Sequence, residues 1–376
     1  MERTADVIII GGGAIGLSTA YHLTKRKVKT IVIEKNYLTS GSTGRCIGGV
    51  RQQYATPTTI KIAMESVDFF KCAEEELGLD VEWYAGGYLF LAFTEDEEKT
   101  FKKAIEIQQR NGLDVSFISA DECFKIVPMM YAPGLRGGAY CPSDGQADPF
   151  KVCYGFAKRI RENGGRIISS SEVVEIRTKG NKVHSVITNN GEEFFADVVV
   201  NAAGPWAKDL CRLVGLDVPI EPERHEAMIT ERVARLWDPM LVDYRPDGSY
   251  FYQRVTGQII GCYTPDPNVP GIRTDSSLEF FFEMPRRMSN LVPALSQVSV
   301  LRHWAGCYSM TPDGSPIVDE TEIEGFFIAG GMCGHGFMFS PAIGEHLANY
   351  IVEKDWGLPW DEFKLTREFK GKEALR

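Results

Sequence analysis

The tightest constraint on this chain is a six-residue loop near its N-terminal end, Gly11-Gly12-Gly13-Ala14-Ile15-Gly16, with glycine at the first, third and sixth positions. An apolar run, Asp6 to Ile10, precedes it, and Ala14 to Lys25 carries apolar residues at helical spacing. A second apolar run, Thr30 to Ile33, ends in Glu34 with Lys35 beside it. The pattern predicts strand, loop, helix and strand. In such a unit Gly11 allows the turn, Gly13 lets the backbone approach a pyrophosphate, and Gly16 lets helix and strand pack closely. The unpaired N–H groups of the helix that opens at Ala14 and Ile15 favour an anion, and an acid placed like Glu34 accepts ribose hydroxyls. The loop therefore predicts an α/β dinucleotide-binding unit.

Beyond this unit a Gly/Ser/Thr-rich stretch, Ser40 to Arg51, leads to a predicted helix from Thr58 to Leu77. Gly87 to Phe93, Glu226 to Glu231, Ser249 to Arg254 and Gln258 to Tyr263 read as strands joined by polar turns, without the helices that a parallel sheet needs. They predict a second, antiparallel domain. Pro149 to Asn163 reads as a helix. Arg166 to Arg177, Lys182 to Thr188 and Asp197 to Asn201 read as strands that return to the first domain. The last return is Phe326 to Ala329, a glycine-rich loop from Gly330 to Gly336, and a helix from Pro341 to Val352. With 376 residues and no linker, two closely joined domains are expected.

A net charge of -10 and the lack of a Lys/Arg block exclude nucleic acid as the main partner. Nine cysteines show neither a CxxC pair nor metal-ligand spacing, so no metal is expected. The start carries no charged region followed by a cleavable apolar one, and no apolar run reaches the roughly 18 residues that cross a bilayer. The reading is a cytoplasmic chain with reduced thiols, any membrane association being peripheral and through a partner.

Three further segments carry a resemblance: Ser40-Gly-Ser-Thr-Gly-Arg45-Cys-Ile-Gly-Gly-Val-Arg51-Gln-Gln-Tyr54, Val199-Val-Asn-Ala-Ala-Gly-Pro-Trp206, and Gly331-Met-Cys-Gly-His-Gly-Phe-Met-Phe-Ser-Pro-Ala-Ile-Gly-Glu345. With the first loop, and in this order, they resemble the D-amino-acid oxidase superfamily of FAD enzymes, which includes sarcosine and glycine oxidases. Arg45-Cys46, Gly48 with Arg51-Gln52-Gln53, Gly87 to Leu91 and Trp304-Ala305-Gly306 make the chain most similar to the β subunits of archaeal dye-linked L-proline dehydrogenases. The resemblance implies an α/β Rossmann-like FAD-binding domain (1–80, 146–220 and 300–376) joined to an antiparallel-sheet, α+β substrate domain (81–145 and 221–299). It places the flavin ring at their junction and implies hydride transfer from the substrate α-carbon to flavin N5.

The same resemblance assigns residues. Besides the glycine loop, Glu34 and Lys35, it implies that FAD is held by Ser42, Thr43, Arg45 and Cys46, by Val174, and by Ala203, Gly204 and Trp206. Gly331, Gly334, His335, Gly336, Phe337 and Met338 complete that set. The C-terminal helix would aim its positive end at the flavin C2 oxygen and N1, where negative charge develops on reduction. Arg51 matches the arginine that forks onto the substrate carboxylate. His225 and Tyr252, ahead of Tyr250 and His303, are the pocket residues expected to orient the amine or relay its proton. Each also has an ordinary role open to it, as a core aromatic or a satisfied histidine.

Related sarcosine oxidases carry a lysine in place of Met338 and another, linked to oxygen activation, in place of Ile259, which tilts the expectation toward a dehydrogenase. Cys307 stands one position off the cysteine that tethers flavin in some of them, so FAD is expected to be non-covalent. The histidine that carries a second covalent flavin has no counterpart near Asp148-Pro149, which leaves room for a non-covalent FMN at a subunit interface. The leading expectation is a proline-type imino acid dehydrogenase, the catalytic subunit of an oligomer that passes electrons to a partner or other acceptor. Alternatives are a sarcosine or glycine oxidase forming hydrogen peroxide, a non-catalytic electron-transfer or assembly subunit without a pocket joining Arg51 to the flavin, and an NAD-dependent dehydrogenase.

Overall fold

A computed structural model of the protein describes residues 3–370. The two apolar runs around the glycine loop form the strands Val7–Ile10 and Thr30–Ile33, every residue of both buried. Continuous burial without alternation is what a parallel sheet covered on both faces requires. They lie centrally in a six-stranded sheet ordered Ile317–Glu320, Phe326–Gly330, Val198–Asn201, Val7–Ile10, Thr30–Ile33, Arg166–Ile168. All neighbours run parallel except Ile317–Glu320, which is antiparallel to Phe326–Gly330.

Side-chain alternation splits the core in two. Val7, Ile9, Val32 and Val200 face four helices, Ala14–Lys25, Pro57–Leu77, Pro149–Glu162 and Gly336–Glu353. Ile8, Ile10, Ile31, Ile33 and Val199 face a three-stranded antiparallel layer, Val173–Lys179, Lys182–Thr188 and Glu193–Phe195, together with the short helix Ala207–Arg212.

The C-terminal helix begins at Gly336, one turn and more before the expected Pro341. Proline inside a helix leaves the carbonyl four residues back without its donor. Here that carbonyl belongs to Phe337, and the Ser340 hydroxyl donates to it at 2.8 Å. The local repair lets the helix run through the proline.

The second sheet has nine strands, ordered Val269–Pro270, Glu221–Arg232, Gln258–Cys262, Tyr250–Gln253, Met240–Asp243, Tyr88–Ala92, Gly137–Cys141, Ser116–Ser119, with Val300–Met310 paired along Glu221–Arg232. It is antiparallel except where Met240–Asp243 runs parallel to Tyr88–Ala92. Two features differ from the sequence reading. The sheet is accompanied by the helices Glu95–Arg110, Ala120–Ile126 and Leu278–Leu291. Val300–Met310, assigned by the division at residue 300 to the first domain, belongs to this sheet because its backbone groups pair with Glu221–Arg232. A two-stranded ladder, Gly49–Val50 against Gly145–Gln146, lies apart from both sheets. Among the described residues no helix is long and apolar enough to cross a membrane.

Candidate active site

A continuous cavity of about 370 Å³ runs from the glycine loop to Arg51 and on to the start of the C-terminal helix, with the second sheet as its far wall. Its volume falls within the roughly 300–1,000 Å³ typical of small-molecule and cofactor sites. The expectation of a non-catalytic subunit required that no such passage exist.

At the loop end, Gly11 has φ +118°, and a Cβ there would collide with the Ala202 carbonyl. Only glycine suits both conditions. The helix Ala14–Lys25 starts on Gly13, which has no side chain to cap it, while Thr43 Oγ1 accepts from Ala14 N at 3.1 Å. Glu34 is buried at the strand end. Its Oε2 accepts from Gly12 N at 2.8 Å, and its Oε1 accepts from Asn36 N at 2.8 Å and from the Ser40 hydroxyl at 3.2 Å. The carboxylate is thereby fixed beside the loop. Lys35 Nζ lies 3.2 Å from the Trp206 ring centre. Ser42 Oγ donates to the Cys307 carbonyl at 2.6 Å, and Arg45 Nη1 donates to Gly41 O at 2.9 Å and to Ser40 O, which knits the Ser40–Arg45 segment into the cavity wall.

A second helix N-terminus reaches the same cavity. His335 precedes the helix Gly336–Glu353 without capping it, and Gly336, Phe337 and Met338 line the space. Two helix starts whose own N-cap residues supply no side-chain acceptor face one cavity and give it two regions that favour negative charge.

Arg51 is 5% exposed. Its guanidinium lies 4.4 Å from the Tyr54 ring centre and 5.5 Å from that of Phe90. Nη1 donates to Gln53 O at 3.3 Å and Nη2 to His335 Nε2 at 3.1 Å. Arginine offers no acceptor, so His335 Nε2 carries its lone pair and the ring in this arrangement is neutral with its proton on Nδ1. Tyr54 donates its hydroxyl to Met338 Sδ at 2.8 Å. The Met338 thioether thus packs against the aromatic partner of Arg51.

His225 stacks on Tyr308 with ring centres 3.8 Å apart, and Tyr308 and Tyr250 share a hydrogen bond of 3.1 Å between hydroxyls. All three line the cavity. Burial lowers the His225 pKa to about 4, and its Nδ1 has no partner in the protein. Burial raises the Cys46 thiol to about 11, so at neutral pH it is an unionised packing group.

Most residues named from sequence meet at this cavity: Gly11, Gly13, Ala14, Ile15, Glu34 and Lys35, Ser42 to Cys46 except Gly44, Ala203, Gly204 and Trp206, Arg51, His225, and Gly334 to Met338. Others do not. Val174 points outward at 47% exposure, and its neighbour Val173 lines the cavity instead, since adjacent strand residues face opposite ways. Gly16 packs its helix onto Gly11, and Gly331 lies against Thr311. Tyr252 is buried behind the wall and donates its hydroxyl to the Ile47 carbonyl, so it supports the cavity without lining it. His303 packs on Phe281 away from the site. Ile259 is fully buried in the core of the second sheet, so its identity carries no argument about oxygen. Tyr308, Phe90 and Met240 are cavity residues the sequence reading did not name.

A family model described as FAD dependent oxidoreductase (DAO) matches residues 6–350. The chain belongs to this family. Among relatives of this FAD-dependent oxidoreductase, mitochondrial sarcosine dehydrogenase of Mus musculus is 28% identical across 94% of the chain, and the chain spans 41% of that protein's length. Sarcosine oxidase subunit beta of Rhodobacter capsulatus is 28% identical, covering 98% of this chain and 90% of its own. The crystal structure of L-proline dehydrogenase from P. horikoshii is 34% identical with a TM-score of 0.92, covering 97% of both chains. The residues fit the family's cofactor: the strained Gly11 turn, the uncapped helix start, the fixed Glu34 and the Lys35–Trp206 pair would hold the dinucleotide portion, and Gly334 to Met338 the far end of the flavin.

Proposed function

We propose that this flavoenzyme oxidises a small amino or imino acid of the L-proline kind at the carbon bearing nitrogen, as the catalytic subunit of a larger assembly that passes electrons to an acceptor other than oxygen. The observation that carries the reading is Arg51, a buried guanidinium on a cavity that is continuous with the dinucleotide loop. A buried cation held by aromatic faces and a neutral imidazole suits a carboxylate, which it binds in a fixed fork geometry. Phe90, Met240 and Val242 supply an apolar wall that suits a small ring and excludes water. His225, neutral through burial, lines the cavity and places no positive charge beside the amine, whose lone pair must be free. FAD, when bound, supplies the hydride acceptor.

The proline preference is supported by the similarity to the P. horikoshii enzyme, and the subunit role by the similarity to a protein named as a β subunit. Lys35, the one lysine among the described cavity-lining residues, is engaged with Trp206, which supports an acceptor other than oxygen. A second reading, oxidation of sarcosine, is favoured by the two sarcosine-oxidising relatives. An anaerobic panel of L-proline, D-proline, sarcosine and glycine, followed by loss of the visible flavin absorbance, tests the proposal. Bleaching by L-proline is the expected result. Bleaching by sarcosine alone, with peroxide released in air, would establish the second reading instead.

A further inference from the structure

A buried carboxylate that no motif marks, Asp144, binds the two glutamines that follow Arg51. In the antiparallel ladder Gly49 pairs with Gln146 and Val50 with Gly145, so the next register position sets Arg51 level with Asp144. Asp144 lies in the turn Cys141-Pro-Ser-Asp-Gly145 and is 0% exposed. Its Oδ1 accepts from Gln52 N at 2.8 Å and from Gln52 Nε2 at 2.9 Å, and its Oδ2 accepts from Gln53 Nε2 at 3.1 Å. The turn itself is pinned, with Asp144 O accepting from Gly87 N at 2.8 Å and Gln146 and Tyr84 exchanging backbone bonds at 2.9 and 3.0 Å.

The chain of contacts leads to the guanidinium. Arg51 Nη1 donates to the carbonyl of Gln53, the residue whose side chain Asp144 grips. Gln52 and Gln53 are themselves buried. We propose that Asp144 is a positioning residue that fixes the Arg51 guanidinium for the substrate carboxylate. It touches no substrate. Its buried carboxylate is held by three donors, and leaving buried donors without a partner costs more than losing an exposed hydrogen bond. Burial raises the Asp144 pKa to about 6 against the three donated hydrogen bonds, so the group stays a carboxylate at neutral pH.

This inference rests on the reading of Arg51 as a carboxylate clamp, and the test separates the two. Purified holoenzyme is titrated with cyclopentanecarboxylate, which has no oxidisable C–N bond, and with cyclopentanecarboxamide, both read by the flavin spectrum. Arg51→Ala is expected to weaken the carboxylate at least about tenfold and leave the amide alone, the scale of a lost charge-assisted bond. No change in Arg51→Ala overturns the clamp, and the role of Asp144 with it. With the clamp upheld, Asp144→Asn is expected to weaken the carboxylate about tenfold, spare the amide, and add nothing in the Arg51→Ala background. Unchanged carboxylate affinity, equal loss for both ligands, or additivity with Arg51→Ala overturns the Asp144 assignment alone. Gln53→Leu removes one of the three donors and covers the case in which Asp144→Asn does not fold. It is expected to give the same selectivity at about threefold, and equal losses or none would count against the assignment.

Discussion

Arg51 is a cation that the fold has taken out of water and surrounded with Tyr54, Phe90 and His335. A lysine in its place keeps the charge but loses the planar fork and the stacking, so Arg51→Lys is expected to lower kcat/KM for the amino acid by about 10- to 100-fold, mostly through KM. Steady-state kinetics with a flavin-content control checks this. At this scale the sequence was legible where chemistry dictates the residue and illegible where only phase or distance does. Glu34 and the glycine loop could be named because a dinucleotide site needs them at that spacing. Val174 could not be told from Val173, since two adjacent valines carry no sign of which one faces inward. Tyr250 and Tyr252 share a strand face, and only position along the strand decides that the first lines the cavity while the second reaches back to Ile47. Asp144 reads as an ordinary Asp-Gly turn until Gln52 and Gln53 are seen to converge on it.

Among the elements, the C-terminal helix brings Gly336, Phe337 and Met338 to the cavity. Its start at Gly336 depends on the Ser340 hydroxyl serving the Phe337 carbonyl that Pro341 cannot serve. Ser340 is fully buried, so Ser340→Ala leaves that carbonyl without its donor and is expected to cost about 1–3 kcal/mol. Thermal melts of the holoenzyme would register it. A variant that melts like the parent would show that the first turn does not need the bond. The proline explains why a sequence reading began this helix too late. Helix Glu95–Arg110 was missed for the opposite reason, because its polar composition masks its narrow apolar stripe of Phe101, Ala104 and Ile105. Its capping box, with Thr94 accepting from Glu97 N and Glu97 reaching back to Thr94 N, was the readable signal. Ser119 and Glu122 repeat it at Ala120–Ile126.

At the scale of the whole molecule, His225 and His22 are buried, and burial disfavours their charged forms. Burial lowers His225 to about 4 and His22 to about 3, both below the 6.5 of a free imidazole. Below that value the unfolded chain takes up protons that the folded chain refuses, so the stability they lend is complete above it and is lost as pH falls toward the folded values. By about pH 5 each is expected to have cost about 2 kcal/mol. His346 runs the other way. Burial opposes its charge, but hydrogen bonds to Glu65 and the Trp356 carbonyl raise its pKa, so its contribution is full in acid and fades as pH rises. Melting temperature followed from about pH 7 to about pH 5 should fall, and the slope should be shallower in His22→Phe. An unchanged slope in that variant would assign the acid sensitivity elsewhere.

The six-stranded sheet takes its strands from widely separated parts of the chain, and Phe326–Gly330 joins beside Val198–Asn201 as the C-terminal helix packs on Ala14–Lys25. During translation, the unit that holds the glycine loop therefore leaves the ribosome well before the strand that finishes its sheet. Nascent chains stalled before Phe326 are expected to remain open to protease and to retain no coenzyme, and both properties should change together once the tract through Glu353 has emerged.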